Sequence, residues 1–117
     1  MDSKNNPTMD ELNFIFHKKW TFCILADLHL RSKHFQDFMN NLPEISTKVL
    51  HQTLTELESV GLIDKKIIRE KPKLTEYSLT EKGKLSKNLI TEYYSYIEMI
   101  SLDSNEEKEI FDKIKDL

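Results

Sequence analysis

Five polar side chains share one face of a short predicted helix at about residues 46–60. Leu50, Leu54 and Leu57 recur at positions i, i+4 and i+7, which is the spacing of a buried helix face. The opposite face carries Thr47, Lys48, His51, Gln52 and Thr55. These side chains suit the edges of bases: glutamine can pair with adenine through two hydrogen bonds, and lysine can reach guanine or a phosphate. Taken alone, such a stretch is more often an ordinary solvated helix face, and it is the hairpin after it that favours recognition of DNA.

A basic hairpin is predicted directly after this helix. Ser46 is a candidate N-cap and Gly61 a candidate left-handed C-cap, so both helix ends are marked. Residues 63–69 and 75–79 predict two strands, which make a wing of about residues 63–79. The cations between Ile63 and Leu79 are Lys65, Lys66, Arg69, Lys71 and Lys73. A helix for the major groove beside a hairpin for the backbone or the minor groove is the arrangement of a winged helix-turn-helix.

The rest of the chain predicts further helices around this one hairpin. Residues 1–8 are polar and are expected to form a flexible N-terminus, and residues 9–117 a single domain. Ser32 is expected to cap the helix before Pro43, and Thr80 a continuous helix to Ile100. The predicted helices span about residues 12–16, 20–30, 32–41, 46–60, 80–100 and 104–115. The predicted fold class is mainly α with a small β-hairpin wing (α+β), a winged helix-turn-helix.

Composition limits the class of protein. The chain has 117 residues, of which 38% are hydrophobic, enough for one packed domain. No apolar run approaches the roughly 18 residues of a membrane span, and the first residues lack a secretion signal. A single cysteine cannot form an internal disulfide. We therefore expect a soluble cytoplasmic protein with no membrane partner.

Charge is unevenly distributed along the chain. The formal net charge is −3, but residues 17–83 hold 11 Lys or Arg against 9 Asp or Glu, a net of +2. Phosphate binding depends on local basic surface rather than on total charge. Arg31 and Lys33, just before the helix preceding Pro43, are placed to contact phosphate, which positions a protein on DNA without specifying sequence. The central segment is therefore compatible with DNA binding.

No motif indicates an enzyme or a cofactor site. The chain lacks a phosphate-binding glycine loop, a metal-binding helix motif and a serine elbow. His29 and His34 lie five residues apart, which is poor spacing for two metal ligands on one helix. Cys23 lies in an apolar run, where packing in the core or at a subunit interface is favoured over redox sensing. We predict no enzymatic activity, no metal and no cofactor.

The order of several short motifs resembles the HxlR-type winged helix-turn-helix regulators of bacteria and archaea. Each motif is weak alone, but their order and spacing over about residues 17–90 are specific. The matching pieces are Lys19-Trp20, Ile24-Leu25, Phe35, Leu42-Pro43, Ile45-Ser46, Lys48-Val49-Leu50, Leu54, Leu57-Glu58, Gly61-Leu62-Ile63, Pro72, Glu76-Tyr77-Ser78-Leu79-Thr80 and Gly83. The chain departs from the family near Thr8, where many members carry a cysteine that some use as a sensor.

The resemblance implies a homodimeric transcription factor that binds a pseudo-palindromic operator. It divides the chain into a DNA-binding core at about residues 17–83 and dimerisation helices at about 9–18 and 84–117. Surplus apolar residues on the long helix support the same assignment, because such surfaces usually pack against a partner. The expected interface residues are Leu12, Phe16, Leu89, Tyr93, Tyr96, Ile97, Ile100 and Phe111.

Two alternatives remain open at the level of sequence. The same helix face can serve a winged-helix module that binds another protein without specific DNA contacts. A regulator can also bind a small-molecule effector between its dimer helices and its core, with aromatic residues such as Trp20 and Tyr93 as lining. Whether the protein represses or activates, and which operator and genes it serves, are not encoded in these patterns.

Overall fold

A computed structural model describes residues 6–101 and 112–113 of the chain. The element order is α1–α2–β1–α3–α4–β2–β3–α5–α6. The helices are α1 (Met9–Phe16), α2 (Thr21–Leu30), α3 (Phe35–Asn41), α4 (Thr47–Ser59), α5 (Glu81–Lys84) and α6 (Lys87–Ile100). The strands are β1 (Lys33–His34), β2 (Ile63–Glu70) and β3 (Lys73–Leu79). Among the described residues, no helix is long and apolar enough to cross a bilayer.

The core is formed by apolar faces of α2, α3 and α4 packed on the base of the sheet. Trp20, the residue before α2, and Ile24, Leu25 and Leu28 of α2 are buried, as their spacing predicts. The predicted inward residues of α4 are buried with them, and Phe38 supplies the largest fully buried side chain of α3. Helix α4 is therefore held rigidly along one face, which leaves its other face free to project outward.

The sheet has three antiparallel strands in the order β1–β3–β2. Strand β3 is central, and Tyr77 pairs with Lys65 on one side and with Lys33 on the other. The pairing shifts by one residue between Ile67 and Arg69, so Ile68 is an extra residue in β2, which is an edge strand. A bulge of this kind increases the local twist and breaks the regular edge that another strand would need for pairing.

The chain approaches itself closely where the wing meets α5. A Cβ atom at Gly83 would clash with the backbone carbonyl oxygen of Leu62, so only glycine fits there. Thr80 joins the same two segments. Its Oγ1 donates a hydrogen bond of 2.6 Å to the carbonyl of Gly61 and accepts one from the amide of Gly83. These contacts fix the angle between the wing and the helices that follow.

Three details of the sequence-based prediction are wrong. The residue before α3 is His34, whose amide donates to the Asp37 carboxylate at 2.8 Å, so Ser32 does not cap that helix. The two residues before α3 pair with β3 and add a third strand, which the hairpin prediction omitted. The helix predicted from Thr80 to Ile100 is two helices, because the amides of Leu85 and Ser86 bond to carbonyls three residues back and tighten the chain into a turn.

His29 of α2 forms a hydrogen bond with Ser86, the residue before α6. The Ser86 hydroxyl donates to the carbonyl of Gly83 at 2.6 Å, so His29 Nε2 donates to the Ser86 oxygen at 3.1 Å. Burial, followed by the positive charge of Lys87, lowers the pKa of His29 below its usual value. The imidazole is therefore a neutral donor between α2 and α6 at neutral pH. The predicted last helix, at about 104–115, lies almost entirely outside the described residues.

Candidate nucleic-acid interface

Helix α4 presents the five predicted polar side chains together on its exposed face. Ser46 caps the helix as predicted: its hydroxyl accepts a hydrogen bond of 3.1 Å from the amide of Val49. The side chains listed next are all exposed: Thr47, Lys48, His51, Gln52 and Thr55. Helix α4 has no acidic residue in its first turn. The positive end of the helix dipole and Lys48 therefore favour the approach of an anion.

The wing carries its cations on an exposed ribbon beside α4. Lys66, Arg69, Lys71 and Lys73 are all exposed, as a contact with a DNA backbone requires. Arg69 also shapes the tip, because its Nε donates to the carbonyl oxygen of Pro72 at 3.1 Å. Four cations on one ribbon can contact successive phosphates, and these contacts would position the protein without specifying sequence.

The prediction that Lys33 contacts phosphate is wrong, whereas Arg31 is accessible for such a contact. Lys33 is 2% exposed, and its Nζ donates to the carbonyl oxygen of Asp27 at 2.6 Å and to the Asp27 carboxylate at 2.9 Å. A lysine held in this way cannot reach phosphate without breaking a buried ion pair. Arg31 is exposed, and its guanidinium lies 3.8 Å from the Asp37 carboxylate. Arg31 therefore remains a candidate for a phosphate contact.

A groove of about 370 Å³ separates the wing from α3 and α4. Its lining residues are His34, Phe35, Gln36, His51, Lys65, Lys73, Leu74, Thr75 and Tyr77. Two lysines and two histidines face this groove, and none of the residues listed is acidic. The His51 ring packs against Phe35 with centroids 4.7 Å apart, which fixes the imidazole at the groove wall. Burial, and secondarily the charge of Glu58, raises the pKa of Tyr77 above its usual value, so its hydroxyl stays protonated.

Sequence patterns missed several residues of this groove. The sequence pattern places Lys65 in the basic wing but does not indicate that it belongs to the site, and it gives no indication that His34 or Gln36 does. They reach the groove because β1 pairs with β3 and places the start of α3 beside the wing. Glu56 is a further residue that the sequence did not indicate, and its Oε2 lies 2.8 Å from Lys18 Nζ. Contacts between residues 38 positions apart leave no periodic signal in the sequence.

The predicted dimer residues divide into packed and exposed sets. Leu12 and Phe16 of α1 are partly buried against the core, and Phe16 contacts Phe22 with ring centroids 5.4 Å apart. Ile97 is half-buried. Exposed apolar residues of α6 include Leu89, Tyr93, Tyr96 and Ile100, which share one helix face by their spacing. Phe111 lies outside the described residues.

In the part of the chain that the structure describes, the cysteine and the histidines belong to no metal-binding cluster. Cys23 is fully buried, and its thiol donates to the carbonyl of Trp20 at 3.2 Å. Its burial is confirmed, and its lack of redox function remains a prediction. Within residues 6–101 and 112–113, no group of three His, Cys, Asp or Glu side chains could hold a metal ion. The polar surface that the structure assembles is thus the face of α4, the wing and the groove between them.

A family comparison agrees with this arrangement. The family model described as an HxlR-like helix-turn-helix matches residues 15–104, most of the chain and the whole of the groove. The chain belongs to the HxlR-like helix-turn-helix family. The resemblance inferred from the ordered motifs is therefore confirmed, and so is the winged helix-turn-helix fold class.

Relatives of this HxlR-like chain are named as regulators in bacteria and in an archaeon. An uncharacterised HTH-type transcriptional regulator of Methanothermobacter thermautotrophicus is 41% identical over 66 residues, which cover 56% of this chain and 50% of that protein. YvaP of Bacillus subtilis, another uncharacterised HTH-type regulator, is 37% identical over 78 residues, 67% of this chain and 72% of YvaP. The chain thus matches only half the length of the archaeal relative.

A solved structure shows the same fold. The reduced form of the transcriptional regulator YodB from B. subtilis aligns with a TM-score of 0.68 and 26% sequence identity, over 90% of this chain and 99% of that one. The HxlR-like protein is therefore a transcriptional regulator of the winged-helix type. Because its relatives and fold neighbours are regulators, the prediction that it is not an enzyme is confirmed.

Proposed function

We propose that this regulator is a homodimer that binds a specific DNA sequence, with α4 in the major groove and the wing on the backbone or in the minor groove. The observation that carries the proposal is the joint exposure of α4's polar face and of the wing lysines around one groove, whose described lining residues include no acidic side chain. Such a surface can contact base edges and phosphates at the same time.

The residues divide into two roles. Lys48, His51, Gln52 and Thr55 lie along the exposed face of α4 and are proposed to contact bases or adjacent phosphates. Arg31 and the wing cations Lys66, Arg69, Lys71 and Lys73 are proposed to bind phosphates. Ser46 and Thr47 lie at the N-terminus of α4, where backbone amides and the helix dipole favour a phosphate. Lys33 is excluded because it is buried.

An exposed apolar face on α6 supports dimerisation. Leu89, Tyr93, Tyr96, Met99 and Ile100 are between 40% and 75% exposed. Contiguous apolar side chains on a helix surface usually mark an interaction site, and most soluble oligomers are symmetric homo-oligomers. Two copies related by a twofold axis would present two α4 helices, which matches a pseudo-palindromic operator.

DNA binding is tested by fluorescence anisotropy with duplexes from the promoter regions of the protein's own gene and its neighbours. We expect selective binding that weakens steeply with salt, because the phosphate contacts release counterions. Lys48→Ala and Gln52→Ala should each weaken binding to the selected duplex by about tenfold, the value of one good base contact. Lys84→Ala, which removes an exposed cation from α5, is the matched control and should bind like the wild type.

Equal and weak binding to every duplex would contradict the proposal. That result would favour the alternative of a winged-helix module that binds another protein through the same helix face. A selective protein whose affinity is insensitive to Lys48→Ala and Gln52→Ala would instead place the reading surface somewhere other than α4.

A further inference from the structure

Glu56 is an acidic residue on the helix that is proposed to enter the major groove. It lies one turn after Gln52, and its Oε2 forms an ion pair of 2.8 Å with Lys18 from the turn between α1 and α2. Both side chains are partly buried, with 27% of Lys18 and 23% of Glu56 exposed. A carboxylate near DNA is repelled by phosphate, and Lys18 offsets that repulsion at short range. The Lys18 cation therefore makes a carboxylate on α4 compatible with a nearby phosphate.

Glu56 contacts the side chain that is proposed to read a base. Gln52 Nε2 lies 3.5 Å from Glu56 Oε2, and the other carboxylate oxygen, Oε1, is buried without a hydrogen-bond partner among the described residues. A carboxylate only accepts hydrogen bonds, whereas an amide has a donating and an accepting end. The Gln52 nitrogen therefore faces Glu56, because the flipped amide would set two acceptors against each other.

This orientation leaves a defined pattern free on Gln52. Its Oε1 faces away from the carboxylate, and its second N–H remains available. One acceptor beside one donor complements adenine, which offers the N6 donor and the N7 acceptor in the major groove. Guanine presents two acceptors there, which only the NH2 end of the amide can contact, and Glu56 holds that end toward itself.

We propose that Glu56 is a specificity-determining positioning residue: held by Lys18, it orients the Gln52 amide so that Gln52 selects adenine. The inference rests on the proposed function, because it requires α4 to read bases. Lys18 also lies over the Phe14 ring, 4.6 Å from its centroid, so the ion pair is anchored from α1 as well. The Gln52 amide is thereby oriented through contacts that begin outside the helix-turn-helix.

The test uses the full chain and duplexes that the wild type selects from a random-sequence library. The position that depends on Gln52 is found with Gln52→Ala, and the affinities for adenine and guanine at that position are compared. We expect the wild type to prefer adenine by about tenfold and Glu56→Gln to prefer it by only about twofold, since a neutral amide permits both orientations of Gln52. In a Gln52→Ala background, Glu56→Gln should leave the adenine-to-guanine ratio unchanged.

Glu58→Gln is the matched control, because it makes the same charge change at an exposed position of α4. It should leave the ratio at the wild-type value. A purely structural role for Glu56 would lower both affinities equally without changing their ratio, and that result would overturn the inference. The inference would also be overturned if Glu56→Gln changed the adenine-to-guanine ratio equally in the presence and in the absence of Gln52. If Glu56→Gln folds poorly, Lys18→Met provides a second test. It leaves Glu56 without its cation and should also reduce the preference for adenine.

The two proposals fail in distinguishable ways. If the wild type enriches no sequence from the library, the proposed function itself is wrong. If the wild type enriches a sequence and its adenine preference persists in Glu56→Gln, DNA reading by α4 stands and only the role of Glu56 is rejected.

Discussion

At the scale of single residues, the most consequential group is the buried cation of Lys33. Its Nζ is held by the carbonyl and carboxylate of Asp27, and the Asn41 amide donates to the same carboxylate at 3.1 Å. A buried charge is tolerated only when it is paired and hydrogen-bonded. The network joins α2, β1 and the end of α3, so it holds in place the elements on which α4 packs.

Lys33→Met should destabilise the protein. Removing one partner of a buried ion pair leaves an uncompensated charge on Asp27, which costs about 3 kcal/mol of unfolding free energy. Equilibrium urea denaturation measures this loss. Arg31→Met, at an exposed position two residues away, should change stability by no more than about 0.5 kcal/mol. Replacing both members, as Asp27→Leu with Lys33→Met, should recover most of the loss; a double variant as unstable as the single one would show that packing, not charge, is responsible.

At the scale of elements, α4 depends on its N-cap. The sequence predicts that Ser46 caps the helix and also contacts DNA, and the structure shows the cap. Helix α4 has four buried residues on one face, Leu50, Thr53, Leu54 and Leu57, so its tertiary packing supports it along its whole length. The first turn, however, gains its own stabilisation from the Ser46 hydroxyl, because the first amides of a helix have no partner within it.

Ser46→Ala should therefore lower the free energy of unfolding by about 1 kcal/mol, the usual value of a lost N-cap. The transition midpoint in thermal or urea denaturation provides the measurement. Thr47→Ala, at the next and equally exposed position, is the control and should have little effect on stability. If Ser46→Ala were as stable as the wild type, the cap would contribute nothing beyond what water supplies.

At the scale of the whole molecule, the exposed face of α6 determines the expected assembly. Tyr96→Glu places a charge in the centre of that face and should convert a dimer to a monomer, because an unpaired buried charge is costly at an interface. Sedimentation equilibrium or light scattering would show the change in mass. Asn88→Glu adds the same charge at an exposed polar position on the first turn of α6 and should remain dimeric. A wild-type protein that is monomeric at all concentrations would contradict the prediction.

Patterns along the chain are enough to predict the helical core, helix α4 and the wing. Those elements follow from local rules: apolar spacing along α2 and α4, a serine at a helix start and a glycine after a helix end. In the structure Gly61 has the positive φ, 80°, that such a glycine permits. The ordered family motifs gave the fold class for the same reason, since they lie at fixed positions on local elements. Local patterns are sufficient where a residue's environment depends on its chain neighbours.

Packing between elements sets which polar residues are available to a ligand. A lysine is expected at the surface, but Lys33 is buried in the fold. Strand β1 pairs with β3 and turns the Lys33 side chain toward Asp27. Lys18 and Glu56 meet across 38 positions, and the break at Ser86 depends on His29 from a distant helix. These contacts arise from packing between elements, which no periodicity within a single element can specify.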